Sequence, residues 1–307
     1  YTGRFANMKV GSTRYALMLD ESAVIIDDGV VARLGEEHFY FTTTTSNSVI
    51  IYRELARLNT LWRLNVGIVN VTGAYAAMNL AGPKSRELLR QLTSLDVSEA
   101  AFPYLAARDA DVAGAPARFL RVGFVGELGY EIHVPAQFSA HVWQTLMDQG
   151  AGYGIRPFGV EAQRLLRLEK GHVIIGQDTD GLSTPIDAAL MWGVKMDKPF
   201  FIGQRSLKII QNRPPTQVLA GFALPLGAKA VVPKECHLVI DGGNIAGRVT
   251  SVAYSESVGR TVGLAYLAPR LNIVGGKFNI RIDGGATIEA EVVKAPFYDP
   301  EGLRQRL

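Results

Sequence analysis

Two stretches decide the fold of this 307-residue chain: GFVGELGYEIHVPA at residues 123–136 and GIRPFGVEAQRLLRLEKGHVIIGQDTD at residues 154–180. The alternation in YEIHVP predicts a strand. The apolar spacing after Val160 predicts a helix that ends near Glu169 and is bounded by Gly159 and Gly171. Carboxylates and aromatic side chains are therefore expected at strand ends that face a helix. This arrangement is typical of an α+β fold.

The residues between these stretches predict another helix, from Gln137 to about Gln149. Its apolar face is expected to carry Phe138, Val142, Trp143, Leu146 and Met147. Gly150, Gly152 and Gly154 follow this helix and do not open a helix after a strand. We therefore interpret them as the end of the helix and not as a dinucleotide-binding loop.

The section before these stretches, residues 1–104, alternates strand signals with amphipathic helices. A β-β-β-α order is predicted by RYALML, VVARL, HFYFTTTT and SVIIYRELARL. A further strand in GIVNVTGAYAAMNLAG leads to a helix that opens at Pro83. We predict one two-layer α+β domain over residues 1–104 and a second α+β domain over residues 105–212.

From residue 213 onwards the pattern is that of β-strands alone. The strand signals are QVLAGFAL, CHLVI, IAGRVTSVAYS, TVGLAYLA, KFNIRI and TIEAEVV. Asp-Gly-Gly at residues 241–243 and again at residues 283–285 separates such runs, as expected for hairpin turns. The pattern predicts a small barrel or sandwich as the C-terminal domain, over residues 213–307.

Composition excludes several classes of protein. The net charge is +3 with both signs interspersed, unlike the basic stripe of a nucleic-acid surface. No apolar run approaches the roughly 20 residues that span a bilayer, and the N-terminus has no secretory signal pattern. Cys236 is the single cysteine, and the five histidines lack paired spacing, so a disulfide or metal site is not expected. We predict a cytoplasmic protein with no metal, membrane or nucleic-acid partner.

Three features could carry chemistry, and each has an ordinary structural interpretation. Asp27 and Asp28 precede a glycine between strand signals, which favours a turn, although acid pairs also transfer protons. Strand alternation places Glu127 and Glu131 on one face, where either could line a pocket or lie at a sheet edge. Trp192 lies in the apolar run AALMWGVKM and could pack in the core or stack on a flat heterocycle.

Motifs for covalent or phosphoryl-transfer chemistry are absent from the sequence. There is no Gly-x-Ser-x-Gly elbow, no P-loop and no Rossmann fingerprint after a strand. This chain is therefore not expected to bind FAD, FMN or NAD itself. Catalysis by this chain would depend on positioning and on proton transfer.

The chain resembles the folate-dependent aminomethyltransferase family, which includes the T-protein of the glycine cleavage system, over essentially its whole length. The motifs are GELGYEI at 126–132, RLEKG at 167–171, TPIDAALMW at 184–192 and FIGQ at 201–204. Within this family it is particularly similar to the C-terminal half of sarcosine oxidase α subunits. That similarity is carried by RYALMLDE, HFYFTTTT, LEKGHVIIGQDTDG and PFYDPEG.

The resemblance implies a three-domain cloverleaf around a central channel for tetrahydrofolate, with two ferredoxin-like α+β domains and a C-terminal β-barrel. It implies that Asp28 is the essential acid near folate N10, and that Glu131 accepts hydrogen bonds from the pterin amino and ring N–H groups. Trp192 matches an aromatic residue of the channel and Thr44 matches a pocket position. Tyr130 is included as a folate neighbour by its adjacency to Glu131.

The resemblance also implies the reaction and its setting. The chain is expected to be the domain of a sarcosine-oxidase-type enzyme that forms 5,10-methylenetetrahydrofolate from the iminium or formaldehyde product of amine oxidation. Other oxidase domains and subunits are expected as partners, and FAD, FMN or NAD would bind only in sequence outside this chain or in those subunits. The first domain of the family is discontinuous, so part of it is expected to precede Tyr1. Gln163 stands where T-proteins carry a folate-binding arginine, and the barrel segment IRIDGGATIEAEVV lacks the arginine that T-proteins use nearby.

Two alternatives remain at the level of sequence. The first is a free-standing aminomethyltransferase that acts on a lipoyl-bound aminomethyl group, against which the two missing arginines count. The second is a non-catalytic folate-binding module in which the fold persists and Asp28 is structural.

Overall fold

The computed structural model describes residues 1–227 and 233–307, and strands in these ranges form three sheets. The first sheet has the order β1-β2-β3 and is antiparallel. Its strands are β1 (Ser12–Leu19), β2 (Ile25–Arg33) and β3 (Phe39–Phe41), and helix α1 (Ser48–Leu61) follows. This is the predicted β-β-β-α order. Asp27 and Asp28 lie within β2, so their interpretation as a turn is wrong.

The second sheet is antiparallel and four-stranded, with the order β4-β7-β6-β5. Its strands are β4 (Tyr75–Ala81), β5 (Ala107–Val112), β6 (Ala115–Leu120) and β7 (Gly129–Pro135). Helices α2 (Ser85–Arg90) and α3 (Ser139–Gly150) pack on one face of it, around a core that includes Leu88, Phe119 and Val142. The predicted division between residues 104 and 105 falls inside this unit, since β4 pairs with β7.

Helix α3 follows the predicted helix closely, with one difference on its apolar face. Val142 and Leu146 are buried, but Trp143 is 47% exposed because it lies about 100° around the helix from Val142. The helix ends at Gly150, the first of the predicted glycines, and a 3₁₀ turn follows that ends at Gly154 with a left-handed φ of 77°.

The third sheet is a closed six-stranded barrel with the order β10-β11-β8-β13-β12-β9. Its strands are β8 (Val218–Ala223), β9 (Leu238–Asp241), β10 (Asn244–Ser255), β11 (Arg260–Leu267), β12 (Lys277–Arg281) and β13 (Thr287–Val293). Gly242 and Gly243 form the predicted hairpin turn with φ of 55° and 85°, and residues 283–285 connect β12 to β13. The predicted α+β fold class with a C-terminal β-barrel is confirmed.

Helix α4 (Val160–Glu169) attaches the barrel to the rest of the chain, and α5 (Gln204–Ile210) precedes the first barrel strand. Arg167 on α4 is buried and pairs with buried Asp178. Ser251 of β10 contacts both charged groups. A buried ion pair therefore joins α4, the loop after it and the barrel wall.

None of the helices in the described ranges combines the length and the apolar content required to cross a bilayer.

Candidate functional site

Asp28 lies in the middle of β2, and Tyr15 of the neighbouring strand β1 holds its carboxylate. The Tyr15 hydroxyl donates to Asp28 Oδ2 at 2.9 Å. Burial raises the pKa of Asp28 to about 6, and the neighbouring Asp27 adds to this rise, whereas the hydrogen bond from Tyr15 opposes it. Asp28 can therefore change its protonation state near neutral pH, as a proton-transferring group must.

The backbone beside Asp28 depends on Gly29. A Cβ atom at this position would lie 1.9 Å from the Thr42 carbonyl oxygen, so a side chain larger than hydrogen cannot be accommodated. The Thr42 hydroxyl also accepts a hydrogen bond from the Val30 N–H at 2.9 Å. The glycine thus lets the chain after β3 approach β2 closely, next to the acid pair.

Asp27 lies on the opposite face of β2 from Asp28 and is fully buried. Its carboxylate accepts hydrogen bonds from the Thr44 backbone N–H and the Asn47 side-chain amide, each at 3.3 Å. Burial raises the pKa of Asp27, and these hydrogen bonds limit the rise. The structure therefore places Thr44 against Asp27, which it contacts through its backbone N–H and its side chain.

Trp192 lies in a 3₁₀ turn, and its ring packs on the ring of Tyr15. The two ring centroids are 4.9 Å apart at an interplanar angle of 31°. Trp192 is 62% exposed, so the interpretation of this residue as part of the core is wrong. One face of the indole rests on Tyr15 and the residue remains open to solvent, which suits stacking on a flat ligand.

Glu131 lies on β7, in the second sheet, and has its own partners. His133 Nε2 lies 3.4 Å from Glu131 Oε2, and Tyr40 Oη lies 2.9 Å from His133 Nδ1. Glu127, predicted to share this face, instead precedes β7 and pairs with Arg304 at 2.7 Å. Its expected place on the strand is therefore wrong, because the strand begins at Gly129.

Tyr130 points to the other face of β7, away from Glu131. It is fully buried in the core of the second sheet, with its ring against Phe102 and its hydroxyl accepting a hydrogen bond from Arg86 Nε at 3.3 Å. The structure does not bring Tyr130 together with the other predicted site residues.

The two carboxylate positions lie on sheet faces that pack against each other. Val30 and Ala32 on β2 pack with Leu120 on β6. Strand alternation places Asp28 on the same face as Val30, and Leu120 is paired directly opposite Glu131. The structure therefore brings Asp28, Tyr15 and Trp192 into one contiguous group and places Glu131 on the facing sheet.

A large cleft in the described part of the chain lies elsewhere. It has a volume of about 1530 Å³ and separates α1 from β1, the start of β2 and residues 175–181. Its lining includes Asn47, which contacts Asp27, but not Asp28, Glu131 or Trp192. The candidate site is therefore a surface between two sheets and a turn, and it lies outside this cleft.

Metal binding has no support among the residues that the structure describes. Within residues 1–227 and 233–307 there is no group of three or more His, Cys, Asp or Glu side chains placed to hold an ion. Cys236 is exposed on the barrel.

Sequence reasoning missed three residues that organise the site: Tyr15, Tyr40 and His133. The alternation in YEIHVP could have placed His133 on the same face as Glu131. Placing Tyr15 on the same face as Asp28 requires the pairing register of β1 and β2, which the structure gives. Tyr40 carries no such signal, because its contact with His133 joins strands of different sheets.

Two family models match the chain: the GCVT N-terminal domain over residues 1–198 and the glycine cleavage T-protein C-terminal barrel domain over residues 217–299. The crystal structure of the glycine cleavage system aminomethyltransferase T from Bartonella henselae has the same fold, with a TM-score of 0.84 at 23% identity. That match covers 96% of this chain and 78% of the other.

Two named relatives differ in how much of their own length is matched. The sarcosine oxidase subunit alpha of Corynebacterium sp. strain U-96 is 35% identical over 316 residues, covering 99% of this chain and 32% of the relative. The aminomethyltransferase of Halothermothrix orenii is 31% identical over 296 residues, covering 96% of this chain and 80% of the relative. The chain therefore spans about a third of the length of the sarcosine oxidase relatives that it matches.

Proposed function

The chain belongs to the glycine cleavage T-protein family, and from this premise we propose that it is the tetrahydrofolate-dependent, one-carbon-transfer domain of a sarcosine-oxidase-type enzyme. The 35% identity to a sarcosine oxidase subunit alpha over 99% of this chain supports the oxidase setting. In this proposal, flavin or nicotinamide chemistry takes place in sequence outside these residues or in partner subunits.

The observation that carries the proposal is the group formed by Asp28, Tyr15 and Trp192. An acid whose pKa is raised to about 6 lies beside an exposed indole, and one tyrosine contacts both. A flat ligand stacked on Trp192 would bring its reacting atoms near the Asp28 carboxylate.

The residues present fit a reduced folate. The pterin ring carries adjacent N–H donors, and Glu131 offers a carboxylate of which Oε2 is engaged by His133. In the proposal, Glu131 holds the pterin end and Trp192 lies along the channel, while Asp28 faces N10. Thr44 is assigned to the pocket through its place beside Asp27. We leave Tyr130 out, because its buried ring and hydroxyl are already used by the core.

Tetrahydrofolate supplies two nucleophilic nitrogens, N5 and N10, and with formaldehyde it yields 5,10-methylenetetrahydrofolate and water. This chain's residues position the reactants and move protons. Asp28 orients N10 and accepts a proton, for which its carboxylate must be ionised. Tyr15 keeps Oδ2 occupied and so directs Oδ1 to the ligand. Holding the reactants in place can lower a barrier by about 7–11 kcal/mol in favourable cases.

The proposal predicts a division of labour in the complete oxidase, and the test is Asp28→Ala in that enzyme. Oxidation of the amine should continue at nearly the wild-type rate, measured as peroxide release. Formation of 5,10-methylenetetrahydrofolate should fall to the spontaneous level, with free formaldehyde released in its place. Equal loss of both activities would contradict the division of labour.

A second candidate is a free-standing aminomethyltransferase, favoured by the alignment that covers 80% of the Halothermothrix orenii enzyme. Gln163, in place of an expected arginine, counts against it. Transfer assayed with an aminomethyl-lipoyl carrier protein distinguishes the two, since the oxidase domain should show none. A non-catalytic folate-binding module would bind tetrahydrofolate without turnover in either assay.

A further inference from the structure

We propose that His133 is a positioning residue that fixes the Glu131 carboxylate for its ligand, and that Tyr40 in turn holds the His133 ring. The inference rests on the proposed function, in which Glu131 receives the pterin N–H groups. It concerns side chains for which the family resemblance gave no role. Three residues from two different sheets form the group.

Tyr40, His133 and Glu131 form a short relay of side-chain contacts between the two sheets. Glu131 and His133 are two residues apart on β7 and point to the same face. Tyr40 of β3 reaches the imidazole from the first sheet, with its hydroxyl 2.9 Å from Nδ1 and its ring edge-on at 5.6 Å between centroids. His133 is 5% exposed, so its ring is fixed by packing as well as by these contacts.

The chemistry of the partners assigns the hydrogens. An ionised carboxylate can only accept, so the His133 Nε2–H donates to Glu131 Oε2 across 3.4 Å. Nδ1 of the neutral ring then accepts from the Tyr40 hydroxyl. Burial raises the pKa of Tyr40, which keeps that hydroxyl protonated and able to donate. Glu131 therefore fixes the tautomer that points an N–H at it, and the Tyr40 hydroxyl stabilises that tautomer by donating to Nδ1.

The Tyr40 ring is itself held in place. The Arg118 guanidinium lies over it at 4.7 Å from the centroid. Arg118 also donates from Nε and Nη2 to the two carboxylate oxygens of Asp109, each at 2.8 Å. The relay thus ends on a bidentate ion pair of the second sheet, and a cation over the ring limits its movement.

The contact with His133 orients the Glu131 carboxylate before a ligand binds. With Oε2 engaged by His133, the Glu131 carboxylate is held in one orientation and Oε1 remains for a ligand donor. A carboxylate free to rotate would lose side-chain entropy on binding, whereas this one has lost it already. His133 should therefore increase the affinity for tetrahydrofolate through Glu131 and not through its own contact with the ligand.

The test is a double-mutant cycle on the purified chain, with tetrahydrofolate titrated anaerobically by calorimetry and thermal unfolding recorded for each protein. His133→Asn keeps an amide near Tyr40 but withdraws the donor from Glu131, whereas His133→Gln extends a donor toward it. His141→Asn is the matched control, since His141 is exposed on α3 and contacts the Ala113 carbonyl.

We expect His133→Asn to weaken binding about tenfold and His133→Gln by less than about threefold, with the control unchanged. In a Glu131→Ala background, His133→Asn should have no further effect. Wild-type affinity in His133→Asn, or equal losses with and without Glu131, would overturn the inference while the proposed function stands. If the wild-type chain shows no saturable binding, both fail.

Tyr40→Phe keeps the proposal testable if His133→Asn does not fold. It removes only the hydroxyl that donates to His133 Nδ1, and we expect a weakening of about threefold that also disappears in the Glu131→Ala background. An undiminished effect of Tyr40→Phe in that background would overturn the relay.

Discussion

Asp28 and Asp178 are both shielded from solvent, but the fold treats them in opposite ways. Asp178 is fully buried and receives Arg167, the Thr250 and Ser251 hydroxyls and a backbone N–H. Asp28 receives the neutral hydroxyl of Tyr15 and lies next to another acid. The difference teaches that a carboxylate surrounded by donors joins elements of the fold, whereas one with a raised pKa remains available for chemistry.

The largest effect on stability should come from removing the charge of Asp178, the carboxylate that joins elements of the fold. Asp178→Asn leaves the Arg167 charge buried without its counter-charge, which typically costs about 3–5 kcal/mol of stability. Urea denaturation of the variant measures this change. Asp283→Asn is the control, because Asp283 pairs with Lys234 on the surface and its loss should not be measurable. If the Asp178→Asn variant were as stable as the control, Asp178 would not have the structural role assigned to it.

Removing the charge of Asp28, the proposed functional carboxylate, should change the stability in the opposite direction. Because the pKa of Asp28 rises from 3.8 to about 6 on folding, the stability it contributes below pH 3.8 is lost as the pH rises through 6. Asp28→Asn removes that loss and should stabilise the fold by about 1–3 kcal/mol at pH 7, with little difference below pH 4. Denaturation at pH 4 and at pH 7 measures it, and destabilisation at pH 7 would contradict the account.

Trp192 tests whether the surface beside Asp28 binds a ligand. Trp192→Ala should weaken tetrahydrofolate binding about tenfold, because it removes a stacking platform. Stability should change little, since Trp192 is 62% exposed. Trp143→Ala on α3 is the matched control at 47% exposure. Calorimetric titration of both variants decides the matter, and equal affinities would place the ligand away from Trp192.

The smallest expected effect is that of Tyr15 on the pKa of Asp28. Its hydroxyl stabilises the ionised form of Asp28, so Tyr15→Phe should raise the pKa of Asp28 further above about 6. One-carbon transfer falls as Asp28 is protonated, and the acid limb of its pH profile should move upward by about half to one pH unit in the variant. An acid limb at the same pH in both proteins would show that another group controls it.

The sequence predicted those parts of the fold that depend on local chemistry. The hairpin at Gly242 and Gly243 and the end at Gly154 of the 3₁₀ turn after α3 follow from residues that favour a left-handed backbone. The helices followed from apolar spacing, although Trp143 is exposed because a helix face is narrower than the predicted apolar stripe. The barrel was indicated by regular strand spacing, and its closure became visible only in the structure.

The site was less accessible to prediction, for physical reasons. Asp28, Glu131 and Trp192 were identified through the resemblance, since their residue types alone were equally compatible with structural roles. Their partners, Tyr15 and His133, act through contacts that depend on register and sheet packing. Adjacency in sequence misled for Tyr130, because neighbouring strand residues point to opposite faces.

The most direct test of the central claim is the rate at which the chain forms 5,10-methylenetetrahydrofolate from formaldehyde and tetrahydrofolate, above the spontaneous reaction, compared with Asp28→Asn. We expect acceleration by the wild-type protein, and a variant that still binds tetrahydrofolate but falls to the spontaneous rate. Equal rates for the two proteins would contradict a catalytic role for Asp28 and would favour a folate-binding module without turnover.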